Sequence, residues 1–262
     1  MIPKIIHYCW FGRNSKPKLS EKCYASWQMY CPDYEIKEWN EDTYDLSQAP
    51  LYVQQAYEAK KWAFVTDYVR LQVVYEHGGI YLDTDVELVR NPNEFLNCTA
   101  FFGFEGDYSI ATGLGFGAVK GSGILKELMA DYQDIPFILD NGGMDLTPCP
   151  VRNTEVFLRK GLKLDGTKQV LEDGTLILSA EFLCPLDNAT RILRKTKNTV
   201  SIHHFDASWQ PQEQKDAHDK LARQRRMRLL KEEILYFPRR LMRNLIGDKL
   251  YEKIKSKIKN SQ

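Results

Sequence analysis

A chain of 262 residues with 43% hydrophobic and 12% aromatic content can bury one sizeable core, and it reads as one main domain over residues 1–210 with an accessory segment over 211–262. Its net charge of +1 conceals two opposite halves: residues 211–262 hold 15 Lys+Arg against 7 Asp+Glu, a balance of +8, and the first 210 stand at −7. An acidic body excludes a broad nucleic-acid surface, and the basic tail invites an anionic partner.

Six cysteines (Cys9, Cys23, Cys31, Cys98, Cys149 and Cys184) are scattered without a Cys-X-X-Cys pair. That spacing suits reduced thiols in a cytoplasmic protein better than a disulfide framework or a zinc site. The first residues form no long apolar run and no later run approaches membrane-spanning length, so the expectation is a protein neither exported nor spanning a membrane.

In chain order, residues 4–9 read as a buried strand feeding the loop Trp10-Phe11-Gly12, residues 20–30 as a helix, and residues 34–39 as a second strand. A long helical pattern over residues 51–77, broken at most once, stops at Gly78-Gly79 as at a C-cap. The segment Ile80-Tyr81-Leu82-Asp83-Thr84-Asp85-Val86 then delivers two carboxylates one residue apart. On an extended backbone these share a face, and two anions so close repel unless a divalent cation joins them. Hard oxygen ligands suit Mg²⁺ or Mn²⁺, ions that keep positions open for substrate phosphates, so a diphosphate is the natural third party. A solvated turn is the bland alternative.

Strands follow near residues 100–104 and 115–119, then a helix over 122–132. Residues 134–175, rich in Gly, Asp and Pro, read as a loop on the rim of the site or as a plain connection; short late strands are expected at 175–179, 181–186 and 199–202. Strands alternating with helices define an α/β protein with a mostly parallel central sheet, whose ligands bind beyond the carboxyl ends of the strands.

Four blocks in this order resemble glycosyltransferase family 32: Ile2-Pro3-Lys4-Ile5-Ile6-His7-Tyr8-Cys9-Trp10-Phe11-Gly12, Ala63-Phe64-Val65-Thr66-Asp67-Tyr68-Val69-Arg70, Gly78-Gly79-Ile80-Tyr81-Leu82-Asp83-Thr84-Asp85, and His203-His204-Phe205-Asp206-Ala207-Ser208-Trp209. That family includes bacterial capsular and O-antigen polysaccharide transferases and fungal mannosyltransferases, with the large glucosylating toxins as relatives. The resemblance implies a Rossmann-like GT-A fold, a UDP- or GDP-sugar donor, a divalent cation and a retaining transfer. It also implies roles. Asp83 and Asp85 hold Mn²⁺ or Mg²⁺ and His204, rather than His203, completes the metal shell. Asp67 and Arg70 contact the donor sugar or phosphate, and His7, Tyr8, Trp10 and Thr84 line the donor site, with Trp10 stacking on the base. Ser208 and Trp209 hold the β-phosphate. Read without the resemblance, Asp67 and Arg70 are an ordinary i, i+3 surface ion pair worth ~0.3–0.5 kcal/mol, and Trp10 and Trp209 are core residues. The centre of the chain departs from the family, so acceptor contacts at Asn141, Asp145, Asn153, Asp107 or Glu105 rest on no motif.

The expected function is transfer of a hexosyl unit onto a surface-polysaccharide or lipid-linked oligosaccharide acceptor. A nucleotide-sugar hydrolase or phosphotransferase, or a non-catalytic sugar-binding subunit of a polysaccharide assembly complex, are the rival expectations. The tail interleaves cations such as Arg223, Arg226 and Arg243 with Leu230, Ile234, Leu241 and Ile258, which predicts basic amphipathic helices peripheral at the inner face of the cell membrane or, alternatively, packed on the body.

Overall fold

The structure, a computed structural model, describes residues 1–208, 210–248, 250 and 252. It divides into one unit of Met1–Asp187 with Leu193–Gln210 and a second of Asn188–Ile192 with Pro211–Gln262.

The first unit runs β1 (Ile5–Cys9), α1 (Lys18–Tyr30), β2 (Glu35–Trp39), α2 (Leu51–Glu58), α3 (Trp62–His77), β3 (Gly79–Tyr81), β4 (Val86–Leu88), β5 (Ala100–Glu105), β6 (Ser109–Ile110), β7 (Phe116–Ala118), α4 (Gly123–Ala130), α5 (Cys149–Arg159), β8 (Gln169–Val170), β9 (Leu176–Leu178), α6 (Ala180–Leu183) and β10 (Ser201–His203). The main sheet has the order β2-β1-β3-β7-β5-β9-β8 with β6 beside β5, and β10 pairs β4 in a separate ribbon. Strands β1, β2, β3, β5 and β9 run one way and β6, β7 and β8 reverse, so the sheet is mixed but mostly parallel.

Side-chain alternation divides the core into two layers. On β3 and β5 respectively, Ile80 and Phe101 face Ile6, Trp27 and Leu183, while Tyr81 and Phe102 face the helices α2 to α5. Such a sheet is covered on both faces, which explains the near-continuous apolar runs of its strands. Helix α3 lies deep in this packing, with Val65, Val69, Leu71 and Val74 fully buried. Gly78 ends it at φ 69°, donating its N–H to Val74 O at 2.7 Å. Gly79 follows at φ 117°, and a Cβ there would lie 2.7 Å from Ile5 O, so glycine alone lets β3 close on β1.

Three expectations fail locally. Residues 181–186 form no strand: α6 occupies Ala180–Leu183. The stretch over 134–175 contains α5, opened by Pro148 and Pro150 at helix positions that need no N–H, with Val156 and Phe157 buried. And β3 stops at Tyr81, so Asp83 and Asp85 lie in the turn before β4 and not on an extended strand.

His7, expected at the donor, is instead a fold residue. Fully buried, its Nδ1 accepts from Trp39 Nε1 at 3.1 Å, which leaves Nε2–H to donate to Gly78 O at 2.8 Å. Burial, reinforced by His77, lowers its pKa from 6.5 to about 4 despite the Gly78 bond. Between those values the unfolded chain binds a proton that the native ring refuses. Stability is therefore complete above pH 6.5 and falls as the pH drops toward 4, by at most about 3 kcal/mol. Urea unfolding at pH 7 and pH 4.5 should show a smaller acid loss in His7→Gln than in the native chain; equal losses would show that the ring is not held neutral.

Candidate active site

The carboxyl ends of β1 and β3 lie side by side, and the chain leaves them as the Trp10 loop and the Asp83-Thr84-Asp85 turn. Asp83 accepts a hydrogen bond from Tyr81 OH at 2.8 Å, and Arg70 Nη1 stands 3.4 Å from both its oxygens. Arg70 Nη2 donates to Asp67 Oδ1 and Nε to Thr66 O at 3.0 Å. Asp67 and Arg70 are buried, at 7% and 3% exposure. The surface-pair alternative therefore does not hold: Asp67 is paired with Arg70 inside the protein, and Arg70 also faces Asp83. Burial opposes the Arg70 charge, but Asp83 more than offsets this and keeps the guanidinium firmly protonated.

Asp85 is held by different partners. Its carboxylate lies 3.2 Å from His203 Nε2 and accepts the backbone N–H of Asp206 at 2.8 Å. Phe205 and Ala207 adopt positive φ of 54° and 46°, turning the chain straight after β10 so that this N–H meets the acid. Oxygens of Asp83 and Asp85 and a ring nitrogen of His203 lie within 4.8 Å of one another. The structure brings His203, and not the expected His204, to the acid pair. His204 points instead to Glu87 Oε2 at 2.8 Å, which Lys22 also contacts at 2.7 Å. Adjacent residues leaving a strand face opposite ways, and the β10–β4 register, with His203 opposite Val86, decides which one meets Asp85.

Electrostatics set the three groups apart. Burial raises the Asp83 pKa, Arg70 holding it down and Asp85 pushing it up. For Asp85, burial is overcome by His203 and the Asp206 N–H, which bring it to about 2. Burial disfavours the His203 imidazolium, yet Asp85, Asp83 and Glu105 raise its pKa. Its Nδ1 is buried without a hydrogen-bond partner. Two hard oxygens, one imidazole and surplus negative charge fit a divalent cation of the Mn²⁺ or Mg²⁺ type, which would replace the imidazolium proton as counter-charge.

The remaining expected donor residues divide. Tyr8 is buried, with its hydroxyl on Glu38 Oε2 at 2.5 Å and its ring on Trp27, so its side chain belongs to the core. Trp10 is half-buried just beyond the end of β1, its Nε1 donating to Asn14 O at 2.7 Å. Thr84 is half-buried in the Asp turn and Ser208 is exposed. Trp209 lies outside the described residues. Of the acceptor guesses, Asp145 pairs with Arg152, Asn141 caps its own turn, and Asn153 is 1% exposed.

Sequence reasoning passed over Gly113. A Cβ there would lie 2.6 Å from Asp83 Oδ2 and 3.2 Å from Arg70 Nη1. Thr112 beside it accepts from Asn153 Nδ2 at 3.1 Å, which ties this turn to α5. Gly113→Ala must displace an acid already held by Tyr81 and Arg70. Its activity should fall roughly tenfold or more, with the apparent Mn²⁺ constant raised. A Mn²⁺ titration of the rate that matches the native chain would remove Gly113 from the site.

Residues 17–102 match the family model for the glycosyltransferase sugar-binding region containing a DXD motif, and this stretch holds Asp67, Arg70, Asp83 and Asp85. An uncharacterized glycosyltransferase of Acanthamoeba polyphaga mimivirus is 31% identical over 111 residues, covering 39% of this chain. The match spans 43% of that relative's length. Among solved structures, the PaToxG glycosyltransferase aligns over 60% of this chain and 69% of its own at 19% identity and a TM-score of 0.44. A glycosyltransferase involved in glycosylation of the major capsid of PBCV-1 aligns over 82% of this chain and 98% of its own at 15% identity and 0.45.

Proposed function

We propose that the protein is a metal-dependent retaining glycosyltransferase of the GT-A type, in or near family 32, that moves a hexosyl unit from a UDP- or GDP-sugar to a surface-polysaccharide or lipid-linked oligosaccharide acceptor. The observation that carries this reading is the convergence of Asp83, Asp85 and His203 where β1 and β3 end. Both acids lie within the matched sugar-binding region. Asp83, Asp85 and His203 would hold Mn²⁺ or Mg²⁺, which when bound neutralises the diphosphate leaving group. Arg70 orients Asp83 and Asp67 orients Arg70. Trp10 offers a ring for the base, while Ser208 and Trp209 are the proposed diphosphate contacts. A lipid-linked acceptor accords with peripheral seating at the inner face of the cell membrane.

The test is a thermal-shift screen of UDP- and GDP-sugars with and without Mn²⁺, since a ligand at ~100 times its dissociation constant stabilises by ~2.7 kcal/mol. Donor consumption is then followed with and without glycan acceptor. Consumption speeded by acceptor supports transfer. Consumption indifferent to every acceptor supports a hydrolase or phosphotransferase, and no nucleotide binding in Mn²⁺ supports a non-catalytic sugar-binding subunit.

A further inference from the structure

The second unit carries a feature that sugar transfer leaves unused. Helix α7 (Gln212–Ile246) shows an apolar stripe of Met227, Leu230, Ile234, Phe237, Leu241 and Leu245, spaced three or four apart, with exposures from 42% to 74%. At about 100° per residue the six fall within an arc of roughly 80°. Exposed Arg226 and Lys231 border the arc on its two sides, and exposed Arg223 continues it toward the helix N-terminus. Between residues 223 and 245 the sequence holds eight Lys+Arg against two Asp+Glu.

Six large apolar side chains facing water along one line are an interaction surface. The charge around them selects the occupant. Among the described residues no helix is long and apolar enough to cross a membrane. A coiled-coil seam with a second copy would bring together two segments of the same strong positive charge. An anionic bilayer has no such repulsion, because its phosphates meet the bordering cations while the acyl boundary takes the stripe.

We propose that this face of α7 docks the protein on an anionic lipid surface, with the six apolar side chains at the headgroup boundary and Arg226 and Lys231 on lipid phosphates. The proposal extends the peripheral seating suggested above. Docking is read with no sugar nucleotide present, so its failure leaves the transfer reading untouched, and failure of transfer leaves docking untouched.

The experiment is co-sedimentation of the full chain with phosphatidylcholine vesicles, alone or with about 30 mol% phosphatidylglycerol, at low salt and at about 0.5 M salt. Binding should be at least tenfold tighter to the anionic vesicles at low salt and should fall as salt rises. Arg226→Gln with Lys231→Gln should lose roughly thirtyfold at low salt, at ~1 kcal/mol per cation. Ile234→Ser with Phe237→Ser should lose at least about tenfold at both salts, because it removes apolar area and no charge. An unchanged thermal midpoint shows that each variant is folded. The proposal is overturned by equal binding to neutral and anionic vesicles, or by native-like binding of the stripe variant. It is equally overturned if the stripe supports a dimer in sedimentation velocity while vesicles are ignored.

Discussion

Asn in place of Asp85 should lower metal-dependent transfer by roughly a thousandfold, about 4 kcal/mol of barrier, and leave the protein folded. Asp85 is the most acidic group of the site, held near 2 by His203 and the Asp206 N–H against the pull of burial, so it is ionised at any working pH. Amidation keeps its volume and removes the charge that a divalent cation requires. Asp83→Asn should be comparably inactive for a second reason, since it also removes the anion that Arg70 faces. The measurement is initial rate against Mn²⁺ concentration for both variants, with unfolding curves alongside. Native-like activity at saturating Mn²⁺ in either variant would refute the metal-site assignment, and collapse of the unfolding transition would show the pair to be structural.

The Asp pair was legible because its chemistry is local. Two acids one residue apart after Gly78-Gly79 and a short apolar run need no tertiary knowledge to suggest a cation, and the same is true of the α3 stop and the mostly parallel sheet. What escaped the sequence depends on partners distant in the chain. His203 and His204 are equivalent until the β10–β4 register gives one to Asp85 and the other to Glu87. His7 and Tyr8 sit in a motif-like block, yet Trp39 and Glu38 on the neighbouring strand claim their polar atoms. Gly113 is an unremarkable residue until Asp83, thirty positions earlier, is found against it. Helix α5 was hidden by its own composition, because prolines that mark a turn in isolation also open a helix.

The charges behind the site carry the second large effect. Arg70→Met should destabilise the protein by about 3–5 kcal/mol, some ten times the value of the exposed i, i+3 pair that the sequence alone allowed. The side chains of Arg70 and Asp67 are 4% and 9% exposed, so removing the cation strands the Asp67 carboxylate where little water reaches it and leaves Asp83 facing no positive charge from α3. Removing the anion as well should reverse most of the loss, because a buried ion pair replaced by apolar groups of similar size leaves no unpaired charge. Asp67→Leu with Arg70→Met is therefore expected to be more stable than Arg70→Met alone, by urea unfolding, and to remain inactive, because Asp83 still lacks the cation that orients it. Stability and activity then part company in one variant, as they should if the buried pair's role is to hold Asp83 in position. A single variant within about 1 kcal/mol of the native chain, or a double variant that regains transfer, would show that Arg70 does not hold the acid in place.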